Sequence, residues 1–485
     1  MTQPKSIFDT YPAYEATIGI EVHVQLTTKT KIFCSCANQI SVEPNVNICQ
    51  VCTGHPGALP VLNKKVIEYG IMAGLATNCT ISLENAFDRK HYFYPDLPKG
   101  YQITQQYRPI CTEGYIMITR EDGTLKKIRI MRIHIEEDAG KNVHTATGES
   151  FVNLNRAGTP LLEIVTYPDI ANAYEAKEYL QALRNIVMYL GICSGNMEDG
   201  AFRADTNISV KKKDASELGT RCEMKNINSF KFIGDAIDYE IERHIDILEN
   251  GGKIQQQTRL WDTKEKKTMP MRSKEEAADY RYFNDPDLPL IVITPEEIAH
   301  IKENLPELPH EKYERLCNKQ GLSNYEADVL INNKALADYY DAAAKQTASK
   351  QLINWVLRDV MGYLKEHALE ITAFNVTPEK LAAIIDMVGA GTINGGAAKQ
   401  VFDIIAQTGN DPLTVVKEQG LEQIGSVDEL EAIVKKIVAE NPENVALYRS
   451  GKDRVFGFFI GQAMKQTQGK GNPHLIQELV KKHLA

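Results

Sequence analysis

Thr17-Ile18-Gly19-Ile20-Glu21-Val22-His23-Val24-Gln25-Leu26 alternates without a break. Ile18, Ile20, Val22, Val24 and Leu26 fall on one face of an extended chain, and Gly19, Glu21, His23 and Gln25 on the other. The pattern predicts a strand with one apolar face and one polar face. Three further segments repeat it. Met131–Glu137 places Arg132, His134 and Glu136 together and ends in the acidic run Glu136-Glu137-Asp138. Phe202–Val210 aligns Arg203, Asp205 and Asn207, and Arg221–Asn226 aligns Arg221, Glu223 and Lys225. Gly, Pro and Asn punctuate the intervening stretches, as they do between strands. Helical patterns interrupt at Ala173–Tyr189 and Phe230–Leu248.

A proline-rich stretch follows, with Pro286, Pro289, Pro295, Pro306 and Pro309, and beyond it the pattern turns helical. Thr294-Pro295-Glu296-Glu297 combines an N-cap, an N1 proline and an N3 glutamate, which together start a helix. Ser323-x-x-Glu326 and Ser426-x-x-Glu429 repeat the capping-box spacing, and Thr377-Pro378-Glu379 marks another start. The expected architecture is α+β in three parts: a largely antiparallel sheet domain over 1–293, a helical domain over 294–410 and a helical tail over 411–485. The second boundary is read from Gly409-Asn410-Asp411-Pro412.

Composition bounds the class. Of 485 residues, 43% are hydrophobic and 25% charged, as in ordinary globular proteins. No apolar run approaches the roughly 18 residues of a membrane span, and Met1–Thr10 lacks the basic and apolar blocks of a signal peptide. The cytosol is the expected compartment, where thiols stay reduced. Four of the nine cysteines form Cys34-Ser-Cys36 and Cys49-Gln-Val-Cys52, a spacing that suits tetrahedral Zn²⁺. A net charge of −9 argues against a surface that binds nucleic acid everywhere. Residues 446–485 nevertheless hold seven Lys/Arg against two Asp/Glu, which suits either a solvated helical face or a local anion-binding patch.

The polar strand faces carry the chemistry. A solvated antiparallel sheet also puts charges outward, but these faces mix Glu, His, Asp, Asn and Arg. Carboxylates converging in a cleft repel one another unless a cation sits between them. Mg²⁺ suits such oxygen ligands when phosphates complete its shell, and Arg and Lys meet the phosphates. The pattern therefore points to metal-assisted phosphoryl transfer. The chain contains neither a G-x-x-x-x-G-K-[ST] loop nor the kinase signature set.

Longer motifs narrow the reading. Ile18–Leu26, Phe87-Asp-Arg-Lys-His-Tyr-Phe-Tyr-Pro-Asp96, His134-Ile-Glu-Glu-Asp-Ala-Gly-Lys141, Leu154-Asn-Arg-Ala-Gly-Thr-Pro-Leu-Leu-Glu-Ile164, Lys225-Asn-Ile-Asn-Ser-Phe230 and Gly252–Tyr282, which ends Asp279-Tyr-Arg-Tyr282, resemble the B subunits of the aspartyl/glutamyl-tRNA amidotransferases. The resemblance runs from about Tyr14 to Leu484. It implies a cradle-shaped sheet domain of the glutamine synthetase and guanidino kinase type, then a helical domain and a helical tail that touches the body of the tRNA. It implies ATP-dependent phosphorylation of the side-chain carboxylate of Glu-tRNA(Gln) or Asp-tRNA(Asn), then displacement of the phosphate by ammonia.

Carried over position by position, the resemblance makes Glu21, His23, Glu136, Glu137, Asp205 and Glu223 the Mg²⁺-binding candidates, all but Glu136 also standing as catalytic candidates. It makes Arg89, Lys90, Arg203 and Lys225 the contacts to phosphate or substrate, and places Lys99 and Tyr101 on the ammonia path or pocket. Nothing in the chain resembles the Lys-Ser-Ser relay of a glutaminase, so a glutaminase A subunit and a small C subunit are implied partners. Two rival readings are a carboxylate–amine ligase acting on a small molecule, which needs no tRNA, and a zinc-containing tRNA-binding module, which turns over no ATP. The archaeal glutamate-specific relative carries an inserted domain, for which the junction near residue 294 leaves no room.

Overall fold

Alternation becomes a sheet because every second side chain of the Thr17–Leu26 segment can leave water at once. Ile18, Ile20, Val22 and Val24 are each at most 1% exposed, and burying each such side chain contributes roughly 1.5–3 kcal/mol. The computed structural model describes residues 7–39, 41–145, 147–271, 279–423, 427–467 and 469–484. In chain order the strands are β1 (Tyr14–Gln25), β2 (Thr80–Ile81), β3 (Glu84–Asn85), β4 (Asp88–His91), β5 (Tyr101–Thr104), β6 (Cys111–Thr119), β7 (Leu125–Glu137), β8 (Lys141–His144), β9 (Ser150–Asn153), β10 (Pro160–Thr166), β11 (Phe202–Lys212), β12 (Cys222–Ile227), β13 (Gln257–Asp262), β14 (Lys267–Pro270), β15 (Phe283–Asn284) and β16 (Ile291–Val292).

Among the described residues nine strands form one sheet in the order β14-β13-β12-β11-β1-β10-β7-β6-β2, with β1 at its centre. All its neighbours are antiparallel except β12 and β13. Three helices, α1 (Lys64–Ala76), α2 (Ala173–Tyr189) and α3 (Phe230–Glu249), pack on the apolar face. Helix α3 does so through Ile233, Ile237, Ile241 and Ile245, one turn apart and at most 1% exposed. Helix α2 starts on Asn172, whose side chain accepts from the backbone of Glu175. It stops at Gly191, with φ of 70°, so that the N–H of Ile192 bonds back to the carbonyl of Val187. A smaller sheet in the order β15-β4-β5 stands beside the large one.

The chain divides into two compact units, 1–312 and 313–485. The capping box at Thr294 forms both of its hydrogen bonds and starts α4 (Pro295–Glu303). Ile298 and Ile301 of that helix pack on the core of the first unit. The second unit is helical, and the Ser323 capping box and the Thr377 cap also form. The start read at Ser426 lies outside the described residues. Pro412–Glu418 packs on Gly395–Thr408, whereas the last helices share a separate core of Leu430, Val434, Phe459, Ile476 and Val480. Among the described residues no helix is long and apolar enough to cross a membrane. The chain is thus α+β, an antiparallel-dominated sheet followed by helices.

Candidate active site

Register assembles the polar face. Across β1 and β11, Glu21 stands opposite Asp205 and His23 opposite Arg203. Across β1 and β10, His23 stands opposite Glu163, which in turn stands opposite His134 of β7. One row, Arg203–His23–Glu163–His134, thereby crosses four strands. His23 Nε2 lies 3.3 Å from Glu163, 3.4 Å from Glu136 and 3.7 Å from Glu21. His134 Nε2 lies 2.7 Å from the other oxygen of Glu163.

Glu21, His23, Glu136 and Glu163 line a cleft of about 1260 Å³, together with Lys90, Asp138, Arg203, Asp205 and Lys225. Arg203 donates to Asp138 at 3.0 Å, which also accepts from Gln25 at 2.9 Å. Lys225 sits 3.2 Å from Glu223 and 3.7 Å from Asp205. Lys90 has neither a hydrogen bond nor an ion pair among the described residues. Its ammonium lies over the rings of Tyr280 and Tyr92, at 4.8 and 5.9 Å.

The electrostatics are those of a site short of positive charge. Burial and the neighbouring Glu163 push Glu21 up to about 7, and burial raises Asp205. Burial alone would lower His23, but its bonds to Glu136 and Glu163 outweigh that and raise it well above the usual imidazole range. Burial would likewise raise Glu163, yet His134 and His23 hold it well below the carboxylate range. Burial works against the Lys90 ammonium, but Glu136, Tyr282, Glu163 and Tyr280 together outweigh it and raise its pKa. The donor atoms of Glu21, His23 and Glu163 lie within 4.8 Å of one another, as do those of His134, Glu136 and Glu163. Two triads of carboxylate and imidazole that share Glu163 fit a divalent cation.

Of the residues expected from sequence, Glu21, His23, Glu136, Asp205, Lys90, Arg203 and Lys225 meet in the cleft. Two are engaged elsewhere, and a third stands at the margin. Glu137 follows Glu136 on a strand and so points to the opposite face. It accepts from Lys99 Nζ and, at 2.9 Å, from the N–H of Ile103. It lines a separate cavity of about 90 Å³ with Lys99, Tyr101, His55, Cys34 and Cys52. Arg89 is engaged by Asp285 at 2.9 Å and Asp287 at 2.7 Å, with its guanidinium 4.4 Å over Tyr101, so it is not free for phosphate. Glu223 shares the polar face of its strand with Lys225, at the margin of the cleft, where it is tied to Lys225 and accepts from Thr258 at 2.9 Å. Glu163 escaped the sequence reading because its strand, Pro160-Leu-Leu-Glu-Ile-Val-Thr166, does not alternate. Its signal was a lone carboxylate in an apolar run, which burial makes costly unless it is paired.

Beside the cleft, Cys34, Cys36, Cys49 and Cys52 bring their Sγ atoms within 4.8 Å of one another. A hydrogen bond from Cys34, the N–H of Cys49 at 3.1 Å and the nearby charge of Lys31 hold Cys52 down to about 4. Four converging thiols, one of them readily ionised, fit a tetrahedral Zn²⁺.

Known proteins place this arrangement in context. The family described as the GatB/GatE catalytic domain matches residues 16–299, and the GatB domain matches 338–484. The chain is 52% identical over 476 residues to the B subunit of the aspartyl/glutamyl-tRNA(Asn/Gln) amidotransferase of Geotalea daltonii, covering 97% of this chain and 99% of the relative. It is 50% identical over 472 residues to the same subunit of Syntrophotalea carbinolica, covering 97% and 98%. With that of Chlorobium phaeobacteroides it shares 48% over 473 residues, covering 97% and 99%. A sheet with a carboxylate–histidine cleft, followed by helices matched almost end to end, makes this chain a member of the family of aspartyl/glutamyl-tRNA(Asn/Gln) amidotransferase B subunits.

Proposed function

We propose that this chain is the B subunit of a tRNA-dependent amidotransferase that phosphorylates the side-chain carboxylate of Glu-tRNA(Gln) or Asp-tRNA(Asn) with ATP and then forms the amide. The observation that carries the reading is Glu163, shared by two carboxylate–imidazole triads beside Lys90, which has no ion pair among the described residues. A carboxylate is a poor electrophile because oxide is a bad leaving group. Attack of its oxygen on the γ-phosphorus expels ADP and gives an acyl phosphate, from which ammonia displaces phosphate. Glu21, His23, Glu136 and Glu163 would hold Mg²⁺, with Asp205 adjacent. The ion would neutralise charge on the transferring phosphoryl group. Lys90, Arg203 and Lys225 face the same space and suit the phosphate oxygens. The sheet is taken as the cradle of the glutamine synthetase and guanidino kinase type.

The chain carries no glutaminase relay, so ammonia comes from an A subunit, held with a small C subunit. The cavity of Lys99, Tyr101 and Glu137 is assigned to the ammonia path or pocket. Zn²⁺ in the four-cysteine cluster is structural. The three-part division of the chain gives the basic tail to the tRNA body, and the reduced thiols suit the cytoplasm. The test is amide formation by the assembled complex, measured separately on the two misacylated tRNAs. Glu163→Gln should lower kcat by about a hundred-fold or more, the scale of losing one electrostatic stabiliser, while glutamine hydrolysis persists. Near-normal turnover at saturating Mg²⁺, or amide formation on free glutamate without tRNA, would overturn the reading.

A further inference from the structure

Asp279-Tyr280-Arg281-Tyr282 closes one of the long motifs, yet the phosphoryl-transfer reading leaves it without a task. The structure lays this segment along β4. The N–H of His91 donates to the Tyr280 carbonyl at 3.0 Å, and Phe283 and Asn284 pair with Arg89 and Asp88. The His91 ring stacks on Phe283 at 4.9 Å. A file of rings results. Tyr92, on the cleft wall, stands 6.1 Å from Tyr280, which stands 6.0 Å from Tyr282, which stands 6.3 Å from Tyr107. All three contacts are edge-to-face, which uses at most one face of one ring in each pair. Tyr280 and Tyr282 are half-buried, and Tyr107 is 63% exposed. The file therefore runs from the cleft outward.

Cations flank it. Lys90 sits over Tyr280 with no carboxylate partner among the described residues. Arg281 lies between the two tyrosines in the motif, exposed, on a backbone with φ of 44° that few residues other than glycine adopt. Aromatic faces interleaved with positive charge bind single-stranded nucleic acid, the rings stacking the bases and the cations meeting the backbone.

We propose that Tyr280 and Tyr282 form a stacking platform for the unpaired 3′-terminal bases of the tRNA, leading the aminoacylated end to the cleft. This rests on the reading that a misacylated tRNA is the substrate. A nucleobase also comes with ATP. The file favours the tRNA end because it continues beyond the cleft to exposed Tyr107, farther than one nucleotide needs and without enclosure.

The experiment uses the assembled amidotransferase and a misacylated tRNA carrying 2-aminopurine as its 3′-terminal base. Binding to the wild-type complex should quench 2-aminopurine fluorescence, as stacking does. The double variant Tyr280→Leu/Tyr282→Leu should relieve the quenching and raise KM for tRNA about ten-fold or more, the scale of one stacked base. Its KM for ATP and its glutamine hydrolysis should stay put. Tyr280→Phe/Tyr282→Phe, which keeps the ring faces, should behave as wild type. A raised KM for ATP with unchanged KM for tRNA would give the platform to adenine and overturn the proposal. So would unchanged KM values for both, or a wild-type complex that binds the labelled tRNA without quenching. That last measurement decides even if the leucine variant fails to fold. A wild-type complex that makes no amide on any misacylated tRNA would instead sink the functional reading itself.

Discussion

Glu136 and Glu137 are joined by one peptide bond and serve different places. The first faces the cleft. The second pairs with Lys99, and the side chains of Lys99 and Glu137 are 11% and 4% exposed. Removing one partner of a buried ion pair strands the other, at roughly 3–5 kcal/mol. Glu137→Gln should therefore cost stability of that order in urea unfolding. The Mg²⁺ concentration for half-maximal amide formation should not change. A shift in Mg²⁺ dependence as large as that of Glu163→Gln would return Glu137 to the metal site. Glu240 makes a second case. It is fully buried between Arg243 at 2.7 Å and Arg259 at 3.0 Å. Burial would raise its pKa, but its bonds to His244, Arg243 and Thr268 pull it from 4.5 down to about 2. A depressed carboxylate contributes stability that is fully present above its unfolded pKa and is lost as pH falls toward its folded pKa. The contribution is about 3 kcal/mol, lost between about pH 4.5 and pH 2. Unfolding free energies of wild type and Glu240→Gln should converge as pH falls through that window. Parallel curves would mean that Glu240 is not the group that titrates.

At the scale of elements, the four-cysteine segment has little structure of its own. Cys34–Cys52 contains no helix and, apart from an isolated bridge at Ala37, no strand pairing among the described residues. Its order comes from crosslinking contacts: the N–H of Lys31 to the Cys36 carbonyl, the N–H of Cys49 to Cys52 Sγ, and Lys31 Nζ to the Asn47 carbonyl at 2.7 Å. Metal binding to such a segment adds directly to folding free energy. The purified subunit should hold about one Zn²⁺ per chain by the four-ligand argument. Cys49→Ser should lower zinc content and Tm together, read by metal analysis and calorimetry. Full zinc in a variant lacking both Cys36 and Cys49 would refute a four-thiolate site. The cysteine clustering was legible in sequence because the four thiols are local; the partners of Glu137 were not, since Lys99 and Ile103 reach it from distant positions in the chain.

For the whole molecule, chemistry and most of the excess positive charge sit far apart in sequence. The cleft belongs to residues 1–312, while Arg449, Lys452, Arg454, Lys465, Lys470, Lys481 and Lys482 lie on or between the last helices, which have their own core. Contacts made equally in the ground and transition states change KM rather than kcat. Phosphate contacts weaken with salt. Deleting residues 427–485 should raise KM for tRNA roughly ten-fold or more, about 1.4 kcal/mol, and flatten its salt dependence. KM values for ATP and glutamine should stay unchanged. A truncated complex with the wild-type tRNA KM and salt slope would leave the tail a solvated surface.

The sequence by itself determined what depends on near neighbours along the chain. Alternation made β1 amphipathic, isoleucines four apart made α3 one-sided, and Thr294 and Ser323 started their helices because a cap needs only the next three residues. The Cys-x-Cys and Cys-x-x-Cys pairs were visible as a four-thiol cluster for the same reason. Tertiary structure decided what depends on distant partners. It brought Glu163 of a non-alternating strand beside His23, gave Glu137 to Lys99, and occupied Arg89 with carboxylates almost two hundred positions later. The physical reason is that a charged side chain has no fixed role until its field is known. Local spacing says which face it is on, but only strand order and register say which charges share that face.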